Sequence, residues 1–218
     1  MKQSSFCPVD RRVWPGVILI STLALITAFL FQSLRVLPVF LFFLFLHVAF
    51  FRDPQRRPRG EGVLAPADGK VVEVSLCDEP RFLGCQALKI GIFLSVLDVH
   101  VNRMPWEGTL EWQEYTPGKF LNAMDPESAF KNESNWMGFR HGAHTFIVRQ
   151  ISGLIARHIH WDIQQGQRLG RGDKIGMICY GSRTEIYLPA ARFEATVKLG
   201  DAVKTSETIL GNWKSYAE

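Results

Sequence analysis

The sequence predicts a mostly β protein, sandwich-like or barrel-like, behind an N-terminal hydrophobic helical hairpin. Two observations predict it. A pair of charge-free apolar runs fills most of the first 51 residues. Beyond residue 62, short runs rich in β-branched and aromatic residues alternate with glycine-containing turns, which is the signature of short strands.

Composition narrows the function classes. The chain has 218 residues, 47% hydrophobic and 21% charged, which excludes a disordered tail or a low-complexity repeat. Its net charge of +4 is unevenly spread. Residues 1–59 hold eight Lys/Arg against two Asp, whereas residues 60–218 hold seventeen against nineteen Asp/Glu. A nucleic-acid binder carries its positive charge on the folded domain, so that class is excluded and a membrane surface is the better partner. The four cysteines (Cys7, Cys77, Cys85, Cys179) form no CxxC pair, which points to buried or incidental thiols in a reducing compartment.

The hairpin comes first. Gly16–Phe31 (GVILISTLALITAFLF) and Val36–Phe51 (VLPVFLFFLFLHVAFF) are each 16 residues without a charge. As helices they are about 24 Å long, slightly short of a hydrocarbon core of about 30 Å. Gln32-Ser33-Leu34-Arg35 breaks them, and basic residues flank both outer ends: Lys2, Arg11 and Arg12 before, Arg52, Arg56, Arg57 and Arg59 after. Such flanks suit an anchor whose two ends stay in the cytoplasm, either spanning or re-entrant. No small-residue cleavage site follows, so a removed signal peptide fits poorly. The expected organisation is an anchor over 1–51, a basic linker over 52–62 lying at the headgroups, and a β domain over 63–218.

Within the β domain, strands are expected at Val71–Leu76, Ala87–Ser95, Thr109–Tyr115, Thr145–Ile151, Leu154–Trp161, Lys174–Tyr180, Glu185–Leu188 and Phe193–Leu199. Phe120–Phe130 has room for a helical turn or two, interrupted by Asp125-Pro126. Gly166-Gln167-Arg168-Leu169 with Asp173-Lys174-Ile175 is echoed 34 residues on by Gly200-Asp201-Ala202-Val203 with Glu207-Thr208-Ile209. This turn–strand–turn–strand form resembles that of lipoyl- and biotinyl-type sandwich domains and bears on fold alone.

Four stretches can carry chemistry. Ala65-Pro66-Ala67-Asp68-Gly69-Lys70 is a turn with a carboxylate at its tip, which ordinary turn chemistry also explains. Leu97-Asp98-Val99-His100-Val101-Asn102-Arg103 gathers Asp, His, Asn and Arg at the exit of an apolar strand. There His100 suits proton transfer near neutral pH, or is a satisfied loop histidine. Gly181-Ser182-Arg183 reads as a tight hairpin turn. A strained Gly-Ser bond is also what backbone self-cleavage needs, with the Ser hydroxyl attacking the preceding carbonyl. His141, His144, His158 and His160 complete the set. A strand points the rings of His158 and His160 to one face, but no third ligand stands at a metal-site spacing.

FFRDP (Phe50–Pro54), APADGKV (Ala65–Val71), DVHVNR (Asp98–Arg103), GSR (Gly181–Arg183) and YLP (Tyr187–Pro189) stand in an order that resembles the short, prokaryotic branch of the phosphatidylserine decarboxylases. The resemblance runs from about Phe50 to the C-terminus. It implies a pyruvoyl-dependent carboxy-lyase made as a proenzyme. The chain would cut itself between Gly181 and Ser182 into residues 1–181 and 182–218, which stay associated. Ser182 would become the covalent pyruvoyl group, with no external cofactor and no metal. That group would form a Schiff base with the serine headgroup of a phospholipid and act as an electron sink for loss of CO₂. Asp68 matches the turn carboxylate that orients or activates a base for self-cleavage, and His100 matches the proton-transferring histidine. Two departures stand out. The long branch has a second histidine where this chain has Arg103, and Asn132-Glu133-Ser134 stands where the short branch tends to N-E-R. Arg103 and Arg183 are then candidates to bind substrate carboxylate or phosphate. The resemblance further implies the inner membrane, a β domain on the cytoplasmic side, and an oligomeric state (homo-oligomer included) that stays open.

Two readings compete with it. One is a non-enzymatic, membrane-anchored adaptor of the lipoyl or biotinyl type, weakened because Gly172–Gly176 lacks a Met-Lys-Met setting. The other is a metal-dependent β-barrel enzyme built on His158 and His160.

Overall fold

The computed structural model describes residues 9–118, 132–153, 158–179 and 182–214. The chain divides into two compact units, Met1–Gln55 and Arg56–Glu218. In the first, α1 (Val13–Leu30) and α2 (Leu37–Phe50) are joined by a 3₁₀ turn at Leu34–Val36. Ser33 caps that turn by accepting from the Arg35 amide at 3.3 Å. Gly16 has no side chain where the His47 ring packs, and His47 Nε2 sits 3.0 Å from the Val13 carbonyl. With 18 residues and a mean hydropathy of 2.1, α1 is long and apolar enough to cross a membrane. Its apolar side chains face outward, Phe29 at 82% exposure and Leu25 at 71%.

Among its described residues, the regular elements of the second unit are all strands. Its strands are β1 (Val63–Leu64), β2 (Gly69–Glu79), β3 (Cys85–Leu94), β4 (Val101–Arg103), β5 (Gly108–Thr116), β6 (Ser134–His141), β7 (His144–Ile151), β8 (Ile159–Trp161), β9 (Arg168–Leu169), β10 (Lys174–Ile178), β11 (Ser182–Pro189), β12 (Phe193–Ala195), β13 (Ala202–Val203) and β14 (Ile209–Trp213). An eight-stranded antiparallel sheet runs β13-β2-β3-β11-β7-β6-β5-β9, and two three-stranded sheets run β1-β14-β12 and β4-β10-β8. The main core draws on both layers: Ile90, Ile92, Phe139, Phe146 and Ile186 from the large sheet, Val63, Ile175, Phe193 and Leu210 from the small ones. The expected β sandwich is therefore the observed class.

The echo at 34 residues is one part of a duplication that takes in all the described strands of the unit. Each half of the large sheet matches the other, β13-β2-β3-β11 against β9-β5-β6-β7, and the two small sheets match likewise. Backbone bonds repeat with it. Gly166 N–H donates to Leu110 O at 2.8 Å as Gly200 N–H donates to Val71 O at 2.8 Å, and Leu110 and Val71 donate back to Gln167 O and Asp201 O. Register bulges recur between Val71 and Glu73 and between Leu110 and Trp112. Positive φ recurs at Gly166 and Gly200, and again at Gly172 and Ser206.

Several expectations change. Val101–Arg103 is a buried strand rather than a loop, because it closes a small sheet against β10. Ser182 and Arg183 are not in a turn; they open β11, which is buried along its whole length between β3 and β7. Strand structure stops at Ala195 rather than Leu199 and at Ile178 rather than Tyr180; Tyr180 lies outside the described residues. Only Ile159–Trp161 of the expected strand Leu154–Trp161 is described as one, and the helical turn expected at Phe120–Phe130 lies outside the described residues. The 52–62 linker divides between the two units. Residues 56–62 join the β unit, where the Arg59 amide donates to Ser206 O at 3.2 Å and Arg171 donates to the carbonyls of Gly60 and Gly62.

Candidate active site

Ser182 is fully buried, opposite Leu94 of β3, and its Oγ has no hydrogen-bond partner. A buried hydroxyl left unpaired costs about 1–3 kcal/mol, a cost that the buried hydroxyls of Ser152, Thr205 and Ser206 share. Gly181 lies outside the described residues. Two residues on, Thr184 shares the face of Ser182, since side chains alternate along a strand. Thr184 Oγ1 accepts from Asn102 Nδ2 at 3.2 Å, which ties β11 to β4. From Asn102 a buried chain of amides crosses the large sheet. Gln150 donates to Asn102 at 2.8 Å, Asn135 to Gln150 at 3.3 Å, and Gln113 to Asn135 at 3.0 Å. A fully bonded polar chain of this kind fixes one arrangement of the strands that carry it.

His100 is wholly buried just before β4. Its Nδ1 lies 2.9 Å from the Asp98 carbonyl, which can only accept, so the neutral ring carries its proton on Nδ1 and its basic lone pair on Nε2. The Asp98 carboxylate is spent elsewhere, accepting from Ser95 N at 2.8 Å and Ser95 Oγ at 2.7 Å.

Asp68 is buried, and Arg56 holds both its oxygens in a bidentate pair while the Thr205 amide donates to Oδ1 at 2.8 Å. Arg56 is the residue that sequence reasoning missed: in an arginine-rich linker it looked like a headgroup contact. The turn that Asp68 closes meets β4 next door, where the Arg103 amide donates to the Pro66 carbonyl at 3.0 Å. Asp68 thus reaches the His100 strand through the backbone of its own turn. Arg103 is buried and donates to Gly172 O at 3.0 Å.

Arg183 goes the other way. Adjacent to Ser182 on the strand, it projects to the opposite face, pairs with Glu73, and lies 2.9 Å from Glu185. Gly91 makes room for it: a Cβ there would stand 2.6 Å from the guanidinium. Arg149 and Tyr187 also bond Glu185, at 3.2 Å and 2.6 Å. Burial raises the Glu73 carboxyl, but hydrogen bonds from Lys89 and Ser75 and the charges of Arg183 and Lys89 outweigh it, so Glu73 is held below its ordinary value. Burial and the Glu185 charge push the Tyr187 phenol far above its own. These groups line a cavity of about 530 Å³ on the face away from Ser182, so the geometry ties Arg183 to sheet structure rather than to the Ser182 face.

His158 and His160 stand with ring centroids 6.2 Å apart, and among the described residues no group of three or more His, Cys, Asp or Glu is placed to hold a metal.

The phosphatidylserine decarboxylase family model matches residues 43–211. Phosphatidylserine decarboxylase proenzymes are among the curated relatives. That of Symbiobacterium thermophilum is 42% identical over 93% of this chain and 94% of its own length. That of Nitrosomonas eutropha is 39% identical over 94% and 95%, and that of Salinibacter ruber 42% over 74% and 73%. These matches favour the decarboxylase over the adaptor, and the family model runs through both halves of the β unit, so the chain belongs to the phosphatidylserine decarboxylase family.

Proposed function

We propose that the chain is a self-cleaving phosphatidylserine decarboxylase that cuts itself between Gly181 and Ser182. The observation that carries the reading is the orphaned, fully buried hydroxyl of Ser182 at the head of β11, on the residue that the family motif uses. In the cut, Ser182 Oγ attacks the Gly181 carbonyl carbon and its proton passes to His100 Nε2. The Ser182 nitrogen takes up that proton and leaves the carbon as a free α-amine, giving an ester of Gly181 on Oγ. Loss of the Ser182 α-proton expels Gly181 as a carboxylate, and hydrolysis of the remaining dehydroalanine releases ammonia. The site fits a pyruvoyl group at position 182: it is buried, and among the described residues its own hydroxyl is unpartnered and no charged side chain bonds it. Once formed, such a group supplies the electron sink for departure of CO₂ from the serine headgroup.

The chain's other residues hold the frame. Asp68 and Arg56 fix the turn whose Pro66 carbonyl holds β4, and so orient His100. Asp98 O fixes the His100 ring, and Asn102 ties β4 to Thr184. Arg103 is the candidate ligand for the substrate carboxylate or phosphate. Arg183 serves the sheet instead, through Glu73 and Glu185. Two cleavage chains stay together because β11 pairs with strands of the larger piece on both sides. The apolar helix α1 supports a membrane anchor, with the β unit on the cytoplasmic side.

Intact mass and denaturing gels of the wild type beside Ser182→Ala test the proposal. Two chains meeting at Gly181/Ser182, a blocked N-terminus on the small one and an uncut variant are expected. One intact chain with an unmodified Ser182 in a folded wild-type preparation would overturn it.

A further inference from the structure

We propose that the turn Ser95–Asp98 is the bilayer contact of the β unit, with Val96 and Leu97 entering the lipid interface beside the reaction site. The inference rests on the decarboxylase reading above. Val96 is 48% exposed and Leu97 77%, and among the described residues of the β unit they are the only two large apolar side chains adjacent in sequence and both exposed. The turn that presents them is braced. Asp98 N donates to Ser95 O at 2.9 Å, and the Asp98 carboxylate takes both the amide and the hydroxyl of Ser95. These bonds hold the turn, and the side chains of Val96 and Leu97 at its tip are exposed. In water that arrangement exposes apolar surface without return; at a lipid interface the same surface is buried.

Both stems of the turn lead to the site. On one side, Leu94 pairs with Ser182. On the other, the Asp98 carbonyl holds the His100 ring. A tip seated among acyl chains would set Ser182 and His100 at the depth of the headgroups, where the serine amine and carboxylate of a phospholipid lie. The tip carries no basic residue, so the contact is apolar rather than electrostatic and resists salt.

The test compares two rates for each protein. Full-length wild type, Leu97→Asp, Leu97→Trp and Leu76→Asp are reconstituted into phosphatidylcholine vesicles. Decarboxylation is measured on long-chain phosphatidylserine in the same vesicles and on dispersed short-chain phosphatidylserine below its micelle concentration. Leu76 is a fair comparison because it is also exposed, at 59%, but sits well along β2 from the Phe93–Lys70 end. Leu97→Asp is expected to lower the ratio of vesicle rate to dispersed rate about tenfold, comparable to losing one buried leucine, with self-cleavage still complete on a gel. Leu97→Trp, bulky and suited to the interface, is expected to hold the ratio at the wild-type level in both low and high salt. An unchanged ratio in Leu97→Asp overturns the proposal. So does a proportional loss of both rates, which would mean the turn acts on the site itself, and so does the same fall in Leu76→Asp. A cleaved wild type that decarboxylates neither substrate sinks the decarboxylase reading, and this inference with it.

Discussion

The Arg56–Asp68 pair makes a quantitative prediction. Both side chains are largely out of water, 12% and 9% exposed, and the guanidinium holds both carboxylate oxygens. Arg56→Met keeps most of the apolar stem but leaves the carboxylate with the Thr205 amide alone. Removing one partner of a buried pair costs about 3–5 kcal/mol, mostly through the charge left behind. A loss of about 3 kcal/mol, the lower end of that range, is expected because one amide bond remains. Urea unfolding of the uncleaved Ser182→Ala protein in detergent, followed by tryptophan fluorescence, measures it. Asp68→Asn alone should cost less, and the double variant Arg56→Met/Asp68→Asn should be more stable than the two losses added together, because neither charge is then stranded. In a Ser182 background Arg56→Met should also slow self-cleavage, because the turn that holds β4 loosens. A stability loss below about 1 kcal/mol, or strict additivity in the double variant, would refute the claim that the pair is a buried lock.

Three further outcomes follow from the same geometry. Gly91→Ala puts a Cβ 2.6 Å from the Arg183 guanidinium and must displace it from Glu73; a loss of about 1–3 kcal/mol in the same unfolding assay is expected, and a neutral result would mean the guanidinium has room to move. Ser206 has a φ of 62° with its hydroxyl buried and unpartnered, and its counterpart in the other half is Gly172 at 82°, so Ser206→Gly should stabilise by roughly 0.5–1 kcal/mol after glycine's extra unfolded-state entropy is deducted, raising the unfolding midpoint. Burial, with the nearby His141 and Arg192, holds His144 below its ordinary value of 6.5; the unfolded chain therefore takes up this proton first, and stability should be whole above that pH and fall as pH drops through it. His144→Phe, which keeps the stacking on Trp213, should flatten that part of the acid loss, and an unchanged slope between about pH 7 and pH 5 would show that other groups cause it.

What could be read from the sequence divides along physical lines. Strands β2, β3, β5 and β7 are long, β-branched or aromatic, and bounded by turn residues, so their pattern speaks for itself. Strand β6 (SNWMGFRH) was not legible: six of its eight residues are buried, polar ones included, and that erases the alternation of a half-exposed strand. Gly181-Ser182 carries turn residues, yet Ser182 opens a central strand, because local turn preference yields to pairing with β3 and β7. The 34-residue echo was legible where glycines and aliphatics repeat. Its companion, Ala65–Val71 against Met104–Leu110, keeps only a proline, an acid and a glycine at matching places and emerges only from the hydrogen bonds. For the candidate site, the motifs offered Ser182, His100 and Asp68 as candidates. They could not name Arg56 or the amide chain through Gln150, because burial of a charge or an amide depends on partners far away in sequence.

The duplication also bears on how the chain would survive the proposed cleavage before Ser182. In one half, β6 and β7 are joined by the tight turn His141-Gly142-Ala143-His144. At the matching place in the other half, β3 and β11 pair at Leu94 and Ser182 but are 88 positions apart in sequence, so no hairpin joins them. A cut just before Ser182 therefore removes no turn from the sheet. The small piece keeps β11, whose residues 182–189 are all buried, with eight register pairs to β3 and five to β7. Each lost ladder bond in a buried strand costs about 1 kcal/mol or more, so separation of the pieces is equivalent to unfolding the sheet. The cleaved protein should elute as one species in native gel filtration, and residues 182–218 should separate only at the urea concentration where tryptophan fluorescence reports unfolding. Release of that piece in native buffer would mean that β11 is not held from both sides, and the central place of this strand in the large sheet would be refuted with it.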